Sequence, residues 1–260
     1  PETALLASIS RRLVFDFDDA IYCRHESGGA SSSRSRVWKF NAIVSRADLV
    51  IAGNAILRDR ATTRARRVAL VPSAVDVRGI PVKNPGVTAH GPVILGWVGG
   101  RINLGHLAAL AVPLRNLASR HAIEVHVVCD RGCDIPGVKV VHVPWTLDGQ
   151  AQAISRFDIG LMPLPYTEHA RGKCGYKALQ CMAAGVPVVV SDVGSNRDIV
   201  RDGRDGFVVP DHAAFEAAVE RLIDSAVDRA RMGRHARQRV EEGFSIERVG
   251  GELAQLLASL

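Results

Sequence analysis

The sequence contains few aromatic residues, few cysteines and no long apolar segment. Phe, Trp and Tyr together make up 5% of the 260 residues, and no segment interleaves basic and aromatic side chains, which argues against nucleic acid as a partner. No apolar run approaches the roughly 20 residues that a membrane-spanning helix needs. The five cysteines are odd in number and form no Cys-x-x-Cys pair, which favours reduced thiols in a cytoplasm over disulfides or a zinc site.

What the sequence does contain is typical of a globular protein with an excess of basic residues. Hydrophobic residues make up 47% of the chain, the formal charge is +6 and the isoelectric point lies near 9.4. Such a charge suits an anionic ligand or an anionic membrane surface. Arginines cluster at 58–67 and at 229–239. These clusters are either solvated helix faces or places of peripheral contact with anionic lipid at the inner membrane face.

Strand-like apolar segments alternate with helix-like segments, which predicts an α/β fold with parallel, doubly wound sheets. Predicted strands of the second part of the chain lie near 93–98, 124–129, 138–142, 158–162, 186–190 and 206–209. The first part has predicted strands at 13–17, 48–52 and 68–71. We therefore predict a partial Rossmann-like domain over 1–80, a linker over 81–92, a complete Rossmann-like domain over 93–243 and a C-terminal helix over 244–260.

The segment 171–209 reads as a helix, a buried strand and a second helix entered through a Gly/Ser loop. Lys173, Lys177 and Gln180 are spaced by four and three residues, which places them on one helical face. Residues 171–173 are predicted to open the helix, where free backbone N–H groups and the helix dipole favour an anion. The pattern therefore predicts a phosphate or diphosphate site, with Lys173 as its principal contact.

The stretch QCMAAGVPVVVSDVGSNRDIVRDGRDGFVV, beginning at Gln180, resembles the donor-binding half of the retaining GT-B glycosyltransferases of family 4. That family's pattern is Glu-x7-Glu, then Ala-Met-Ala-x-Gly-x-Pro-Val-Val, a Gly pair and an Asp-Gly-x-x-Gly-Phe turn. The match is close from Met182 onward. The preceding GKCGYKALQ, at 172–180, resembles a subgroup with Gly-Lys-Cys-Gly-x-Lys-x-Leu-Gln at this point. The resemblance covers essentially the whole chain and implies a GT-B fold.

Gly172 and Gln180 occupy the positions of the family's two acidic residues. In the family the second acidic residue holds the nucleotide ribose, and the first lies near the donor sugar. The resemblance therefore implies that Gln180 hydrogen-bonds a ribose hydroxyl. Because Gly172 has no side chain, Lys173 or Glu168 is expected to take its place at the sugar.

A glycine turn is also predicted to contact the donor. Gly99, Gly100 and Arg101 follow the predicted strand at 93–98. Glycine admits a close approach of the backbone to a diphosphate, and Arg101 can pair with its oxygens. A structural turn with a solvated arginine is the other interpretation.

Trp145, Thr146, Gly194 and Ser195 are assigned to the donor site from the resemblance. Trp145 and Thr146 lie where the family holds the nucleobase, and Trp145 can stack on a base; the alternative is a core tryptophan beneath the loop. Gly194 and Ser195 belong to a loop that faces the cleft in the family. Ser195, with Asp198 three residues later, also has the pattern of a helix N-cap pair.

The predicted strand at 13–17 runs into FDFDDAIY, in which Asp18 and Asp19 resemble the cleft-facing His-Asp pair of the family's N-terminal domain. The resemblance implies that they position sugar and acceptor. Asp16-x-Asp18 also has the spacing with which metal-dependent GT-A transferases hold Mn or Mg, and aspartates that cap a turn are a third interpretation. Because cations and a helix start already provide a diphosphate site, we expect no metal and no cofactor.

Together these features predict an enzyme of polysaccharide biosynthesis that moves a sugar from a nucleotide-diphosphate sugar to a glycan or lipid-linked acceptor. The catalytic residues would be Asp18, Asp19 and Lys173. A non-catalytic nucleotide-sugar-binding or scaffold protein is the alternative; a nucleotide-sugar epimerase is a third class, against which the GKCG motif argues. In the family about as much sequence again as 1–80 precedes this point, so we expect the chain to lack half of its acceptor-side domain and to transfer sugar poorly.

Overall fold

The computed structural model describes residues 11–24, 33–83 and 91–260, in which nine strands form two parallel sheets. This confirms the α/β prediction and the position of every predicted strand. The first sheet has the order β1-β2-β3 and two helices. Its elements are β1 Val14–Phe17, α1 Arg34–Val44, β2 Leu49–Ala52, α2 Ala55–Thr62 and β3 Val68–Leu70.

The second sheet has six strands in the order β6-β5-β4-β7-β8-β9, all parallel. The chain starts at the centre, winds to one edge and then returns to wind to the other. The switch point therefore lies between β4 and β7, where open parallel sheets bind their ligands at the carboxyl ends of the strands. The strands are β4 Val93–Val98, β5 Ile123–Cys129, β6 Val140–Pro144, β7 Ile159–Met162, β8 Val188–Ser191 and β9 Gly206–Val209.

Helices cover both faces of this sheet, which is why its strands are apolar on both sides. Along β5, Val125 and Val127 contribute to one buried cluster, and Val128 to the other. A short 3₁₀ turn, Arg101–Asn103, follows β4. The helices are α3 Leu104–Ala108, α4 Ala111–Arg120, α5 Gln150–Ile154, α6 Glu168–Arg171, α7 Tyr176–Ala183, α8 Asn196–Ile199, α9 His212–Asp224, α10 Ala226–Gly243 and α11 Ile246–Ala258.

Two predicted boundaries are wrong. The polar, Gly/Ser-rich sequence at 23–36 predicts a loop. Helix α1 nevertheless begins within it, at Arg34, because the Arg36 guanidinium donates to the Cys23 carbonyl at 2.8 Å and holds the first turn in place. The helix predicted near Leu147 begins at Gln150, after a turn in which the Gly149 amide donates to Thr146 Oγ1. The proposed helix at the start of the chain, most of the loop at 23–36 and most of the linker lie outside the described residues.

Helix α11 returns the chain to the first sheet. Ser245 caps it by accepting from the Arg248 amide, as the sequence predicts, and the backbone of Val75 pairs with residues on both sides of Ser245. At the far end, the Arg67 guanidinium donates to Ser259 Oγ at 3.0 Å. In the part of the chain that the structure describes, no helix combines the length and apolarity needed to cross a membrane.

The arginines of 229–239 hold the ends of neighbouring helices. Arg229 donates to the carbonyls of Leu222 and Ile223 at the end of α9, at 2.6 and 2.8 Å. Arg239 donates to the Asp198 carbonyl in α8 at 2.8 Å. Carbonyls in the last turn of a helix lack partners within it, so arginine donors stabilise them. Much of this basic cluster therefore stabilises helix ends within the chain.

The Asp-Gly-x-x-Gly-Phe turn before β9 depends on a buried ion pair. Arg201 donates twice to Asp205, at 2.7 Å to each carboxylate oxygen, and the Asp205 side chain has no exposed surface. Gly206 has no room for a side chain, because an added Cβ would lie 2.1 Å from the Val188 carbonyl oxygen. The turn is therefore fixed against β8 by charge and by close packing.

We expect Asp205→Ala to lower the free energy of unfolding by about 3 kcal/mol, the lower end for breaking a buried pair, since Arg201 remains partly solvated. Urea denaturation measures this change. The matched control is Glu252→Ala, which breaks a pair of the same spacing, Arg248–Glu252, on the exposed surface of α11. It should cost at most about 0.5 kcal/mol. Equal losses in the two variants would contradict the assignment.

Candidate functional site

Helix α7 begins later than the sequence predicts. Its N-cap is Gly175, whose φ of +67° lies in the left-handed region that glycine tolerates. The prediction that residues 171–173 open this helix is wrong: Arg171 ends α6 and Gly172 is its C-cap. The Lys173 amide donates to the Ala170 carbonyl at 3.0 Å, so it is not available to an anion.

The predicted polar face is therefore reduced to Lys177 and Gln180, with Lys173 in the loop before it. The Lys173 ammonium lies 3.0 Å from the Asp19 carboxylate, which follows β1 of the first sheet. Both side chains are partly exposed. Lys173 thus already has an anionic partner from the other sheet.

Lys177 has no such partner. Its ammonium lies 4.9 Å from the centre of the Trp97 ring, and among the described residues no carboxylate pairs with it. The backbone of Gly99 passes so close that an added Cβ would lie 2.6 Å from Lys177 Nζ. Burial, and next the charge of Lys173, lower the pKa of Lys177 to about 8. The group is a cation at neutral pH with space for an anion beside it.

The turn at 99–101 lies at the carboxyl end of β4, at the switch point. Gly99 donates its amide to Val128, and Gly100 faces open space, because an added Cβ would have no neighbour within 4 Å. The Arg101 amide donates to Asp130 at 2.8 Å, which lowers the pKa of that carboxyl group. The Arg101 guanidinium is 69% exposed and 3.8 Å from the same carboxylate.

Trp145 follows β6 and is 44% exposed, so the interpretation as a core tryptophan is wrong. Its indole N–H donates to Gln150 Oε1 at 3.1 Å, and the buried Gln180 amide donates to the same oxygen at 3.1 Å. Thr146 accepts from the Gly149 amide and so shapes the turn into α5. The sequence reasoning missed Gln150, whose only signal was a polar residue near a helix start.

Gly194 and Ser195 support the loop before α7. Ser195 is the N-cap residue of α8, as its spacing to Asp198 predicts, but its hydroxyl caps no helix amide and donates instead to the Lys173 carbonyl at 2.9 Å. Gly194 has a φ of +64°, and an added Cβ would lie 2.9 Å from the Arg171 carbonyl oxygen. Ser195 thus holds the loop by a hydrogen bond to its backbone, and Gly194 packs closely against that backbone.

Gly172 packs directly against the first sheet's loop. An added Cβ would lie 2.6 Å from Ala20 Cβ and 2.8 Å from the Ala20 nitrogen. No carboxylate side chain could be accommodated there. Glu168, which was expected to compensate, lies instead beside Cys23, whose pKa burial and that carboxylate raise to about 11.

Three clefts meet around the start of α7. The first, about 670 Å³, lies between the turn at 99–101, Trp145 and Gln180. The second, about 190 Å³, is lined by Asp19 and Lys173 among others. The third, about 540 Å³, lies between the first sheet and α11.

The three clefts are contiguous. Tyr176 lines all three, Lys177 lines the first and second, and Asp18 and Ser73 line the second and third. Tyr176 and Ser73 were missed by the sequence reasoning. So was Asn103, which lines the second cleft and whose buried amide oxygen has no hydrogen-bond partner among the described residues.

The Asp-x-Asp pair lies at the edge of the third cleft. Burial, and next the charge of Asp18, raise the pKa of Asp16. No group of three or more His, Cys, Asp or Glu side chains that could hold a metal ion occurs in the described part of the chain. The five cysteines, all described, are free.

Curated proteins of known name match parts of this chain. A GDP-mannose-dependent alpha-mannosyltransferase of Mycolicibacterium smegmatis is 27% identical over 245 residues, which is 87% of this chain and 61% of that protein. An alpha-D-kanosaminyltransferase of Streptomyces kanamyceticus is 33% identical over 103 residues, or 39% of this chain and 25% of that protein. The chain thus spans less than two thirds of the length of either relative.

Solved structures share the whole architecture. Anabaena HepE, in complex with UDP and glucose, superposes with a TM-score of 0.81 at 14% identity, covering 100% of this chain and 75% of that one. Sucrose-phosphate synthase of Thermosynechococcus elongatus superposes with a TM-score of 0.75 at 18% identity, covering 98% and 69%. At these identities the likeness concerns the fold, which is GT-B as the sequence predicts.

The family profile described as "Glycosyl transferases group 1" matches residues 92–225, more than half of the chain. The matched range contains the second sheet through α9, with the turn at 99–101 and helix α7. This chain belongs to the group 1 glycosyl transferases.

Proposed function

We propose that the chain is part of a glycosyltransferase that moves a sugar from a nucleotide-diphosphate sugar, with retention, as in the family 4 subgroup that its GKCG motif resembles. The observation that carries this proposal is the order of the three clefts. An unpaired ammonium, that of Lys177, lies where the first cleft meets the second. A nucleotide-diphosphate sugar has its parts in a matching order. Its nucleoside would lie in the first cleft, its diphosphate at Lys177 and its sugar in the second cleft, which leaves the third cleft for the acceptor.

The first cleft has the chemistry of a nucleoside site. Trp145 offers an exposed ring on which a base can stack, whereas the neighbouring Thr146 does not line the cleft and only shapes the turn that follows. Gln180 and Gln150 are already joined by a hydrogen bond and together present amide groups to ribose hydroxyls. HepE, of similar fold, binds UDP, and the mannosyltransferase relative is named for GDP-mannose. Uracil and guanine are therefore both candidate bases.

The diphosphate would lie at Lys177, between the start of α7 and the glycine turn at 99–101. The backbone N–H groups of the first turn of α7 and the helix dipole add positive potential there. Arg101, largely exposed, can move to the outer phosphate. Because negative charge develops on the leaving diphosphate, cations fixed at this point stabilise the transition state. We assign the principal contact to Lys177 rather than Lys173, since Lys173 is paired with Asp19.

The sugar would occupy the second cleft and the acceptor the third. Asp19, Asp18 and the unpartnered amide oxygen of Asn103 offer acceptors for sugar hydroxyls in the second cleft. The third cleft combines the Asp18 carboxylate with apolar walls from Ile51, Val249 and Leu253. Such a mixed lining suits an acceptor hydroxyl attached to an apolar group, which favours a lipid-linked acceptor over a wholly polar glycan.

One observation favours the alternative, a binding protein without transferase activity. Gly172 stands where relatives have an acidic residue near the sugar, and its contact with Ala20 leaves no room for one. Nucleotide-sugar binding without turnover would support this alternative. A cytoplasmic location and contact with anionic lipid stay predictions.

Replacing Lys177 tests the proposed function most directly. Lys177→Met keeps the length of the side chain and removes its charge, so binding of UDP, GDP or ADP should weaken by about 1.5–3 kcal/mol, the usual value for a charge-assisted hydrogen bond. Titration calorimetry with the three nucleotides measures this. Lys139→Met, at an exposed ion pair with Glu124, is the control and should bind as the wild type does. A larger loss in Lys173→Met than in Lys177→Met would restore Lys173 as the principal contact.

The affinity should also depend on pH. The diphosphate favours the charged form of Lys177, whose pKa in the free protein is about 8. Binding should therefore be constant near neutral pH and weaken above about pH 8, approaching tenfold per pH unit. In Lys177→Arg the charge persists, so the decline should disappear between about pH 7 and 9.5. The same decline in that variant would show that another group titrates.

We expect binding and turnover to be independent of divalent metal, because helix N–H groups and cations can neutralise the leaving diphosphate. Donor binding and release of UDP from UDP-glucose should be the same with and without EDTA. Loss in EDTA that Mn or Mg reverses would favour the Asp16-x-Asp18 interpretation, and Asp16→Asn should then abolish the response.

A further inference from the structure

We propose that Asn54 and Cys174 latch the donor-site loop, residues 172–175, onto the first sheet, and that this latch positions the Asp18 and Asp19 carboxylates over the second cleft. Its catalytic consequence rests on the proposed function. The residues GKCG, which resemblance assigns to donor contact, would then act through Asp18 and Asp19 as positioning residues.

Asn54 uses both ends of one buried amide. It is the N-cap of α2, where its side-chain oxygen accepts from the Leu57 amide at 2.9 Å. Its NH₂ group donates to the carbonyls of Gly172 at 3.0 Å and Lys173 at 3.3 Å. Only 3% of the residue is exposed. The residue that caps α2, which follows β2 of the first sheet, therefore also donates hydrogen bonds to the loop at 172–175.

Cys174 forms the second connection. Its thiol donates to the Asp18 carbonyl at 3.0 Å, and it fills the space above Gly53, where an added Cβ would lie 2.5 Å from Sγ. Burial raises the pKa of this thiol to about 12, so it remains protonated and able to donate at physiological pH. The contact fixes the backbone of one of the two aspartates that line the second cleft.

Lys173 forms contacts with residues from both parts of the chain. Its carbonyl accepts from Asn54 on one side and from Ser195 on the other, while its ammonium pairs with Asp19. The loop is thus tied to Asp18 by a thiol, to Asp19 by an ion pair and to α2 by an amide.

This arrangement fixes the geometry between donor and acceptor sides. Lys177 lies only three residues after Cys174, and Gly175 between them has a left-handed backbone conformation. The latch therefore sets the position of Asp18 and Asp19 relative to the proposed diphosphate site. A displacement of about 1 Å in such a site costs factors of about a hundred in rate. Loss of the latch should therefore reduce turnover much more than nucleotide affinity, because no residue that lines the first cleft belongs to the first sheet or its helices.

Asn54→Asp is the sharpest variant. Aspartate caps helices as well as asparagine does, so α2 keeps its cap, whereas the NH₂ donor is replaced by an oxygen facing two carbonyls. We expect UDP affinity within about threefold of wild type and UDP release from UDP-glucose lowered at least tenfold. Cys174→Ala should behave in the same way, and Cys174→Ser, which keeps a donor to Asp18, should recover most of the rate.

Asp205→Ala is the control, since it destabilises the second sheet without contacting any cleft residue named here. If it lowers turnover as much as Asn54→Asp does, or if Cys174→Ala and Cys174→Ser are alike, the positioning role is wrong.

A second measurement separates this proposal from the proposed function. In Asn54→Asp, amide hydrogen exchange should speed up at least tenfold in peptides covering 16–24 and 172–175, and should stay unchanged in β5 and β6. Unchanged exchange in those peptides would overturn the latch whatever the activity. If instead the wild type binds no nucleotide diphosphate while the exchange result is as expected, the latch stands and the proposed function fails.

Discussion

The Lys177 ammonium is held largely out of water beside the Trp97 ring, and no carboxylate in the described part of the chain pairs with it. Removing an ammonium from water costs free energy, which is why its pKa falls. The fold tolerates this unfavourable free energy because other contacts hold the two elements around Lys177 in place. Helix α7 is held by its buried face, and the turn at 99–101 by its connection to β4. An anion that enters between them would recover the lost interaction, and this is the physical reason for the diphosphate site that we propose at the switch point.

The glycines of the site have different physical roles. Gly99 permits the ammonium to approach the backbone, Gly175 reverses the chain so that α7 can start, and Gly172 admits the first sheet's loop. A side chain at any of these positions would separate surfaces that must touch. At Gly172 the backbone packs directly on Ala20 of the first sheet's loop, and Lys173 and Cys174, which follow it, contact Asp19 and Asp18.

Hydrogen bonds between the sheets connect binding to geometry. Asn54, Cys174 and the Lys173–Asp19 pair join a loop of the second sheet to the ends of β1 and β2. Helix α11 adds a second connection through Val75 and Arg67. The second and third clefts combine residues of both parts of the chain, so their shape depends on these contacts.

The strands, most helices and the donor-side motif follow from the sequence alone, because apolar periodicity and helix-capping residues are local properties of the chain. From spacing and motif, the sequence also predicts Lys177, Gln180 and Trp145 as contacts of the donor. It could not show that Lys173 leaves the helix, that Ser195 donates to a carbonyl, or that Gln150, Asn54 and Ser73 reach the site. Those facts depend on contacts between residues far apart in the sequence; Asn54 and Lys173, for example, are 119 positions apart. Which of the two nearby lysines pairs with Asp19 depends on where the loop of the first sheet lies, and that position is set by tertiary contacts.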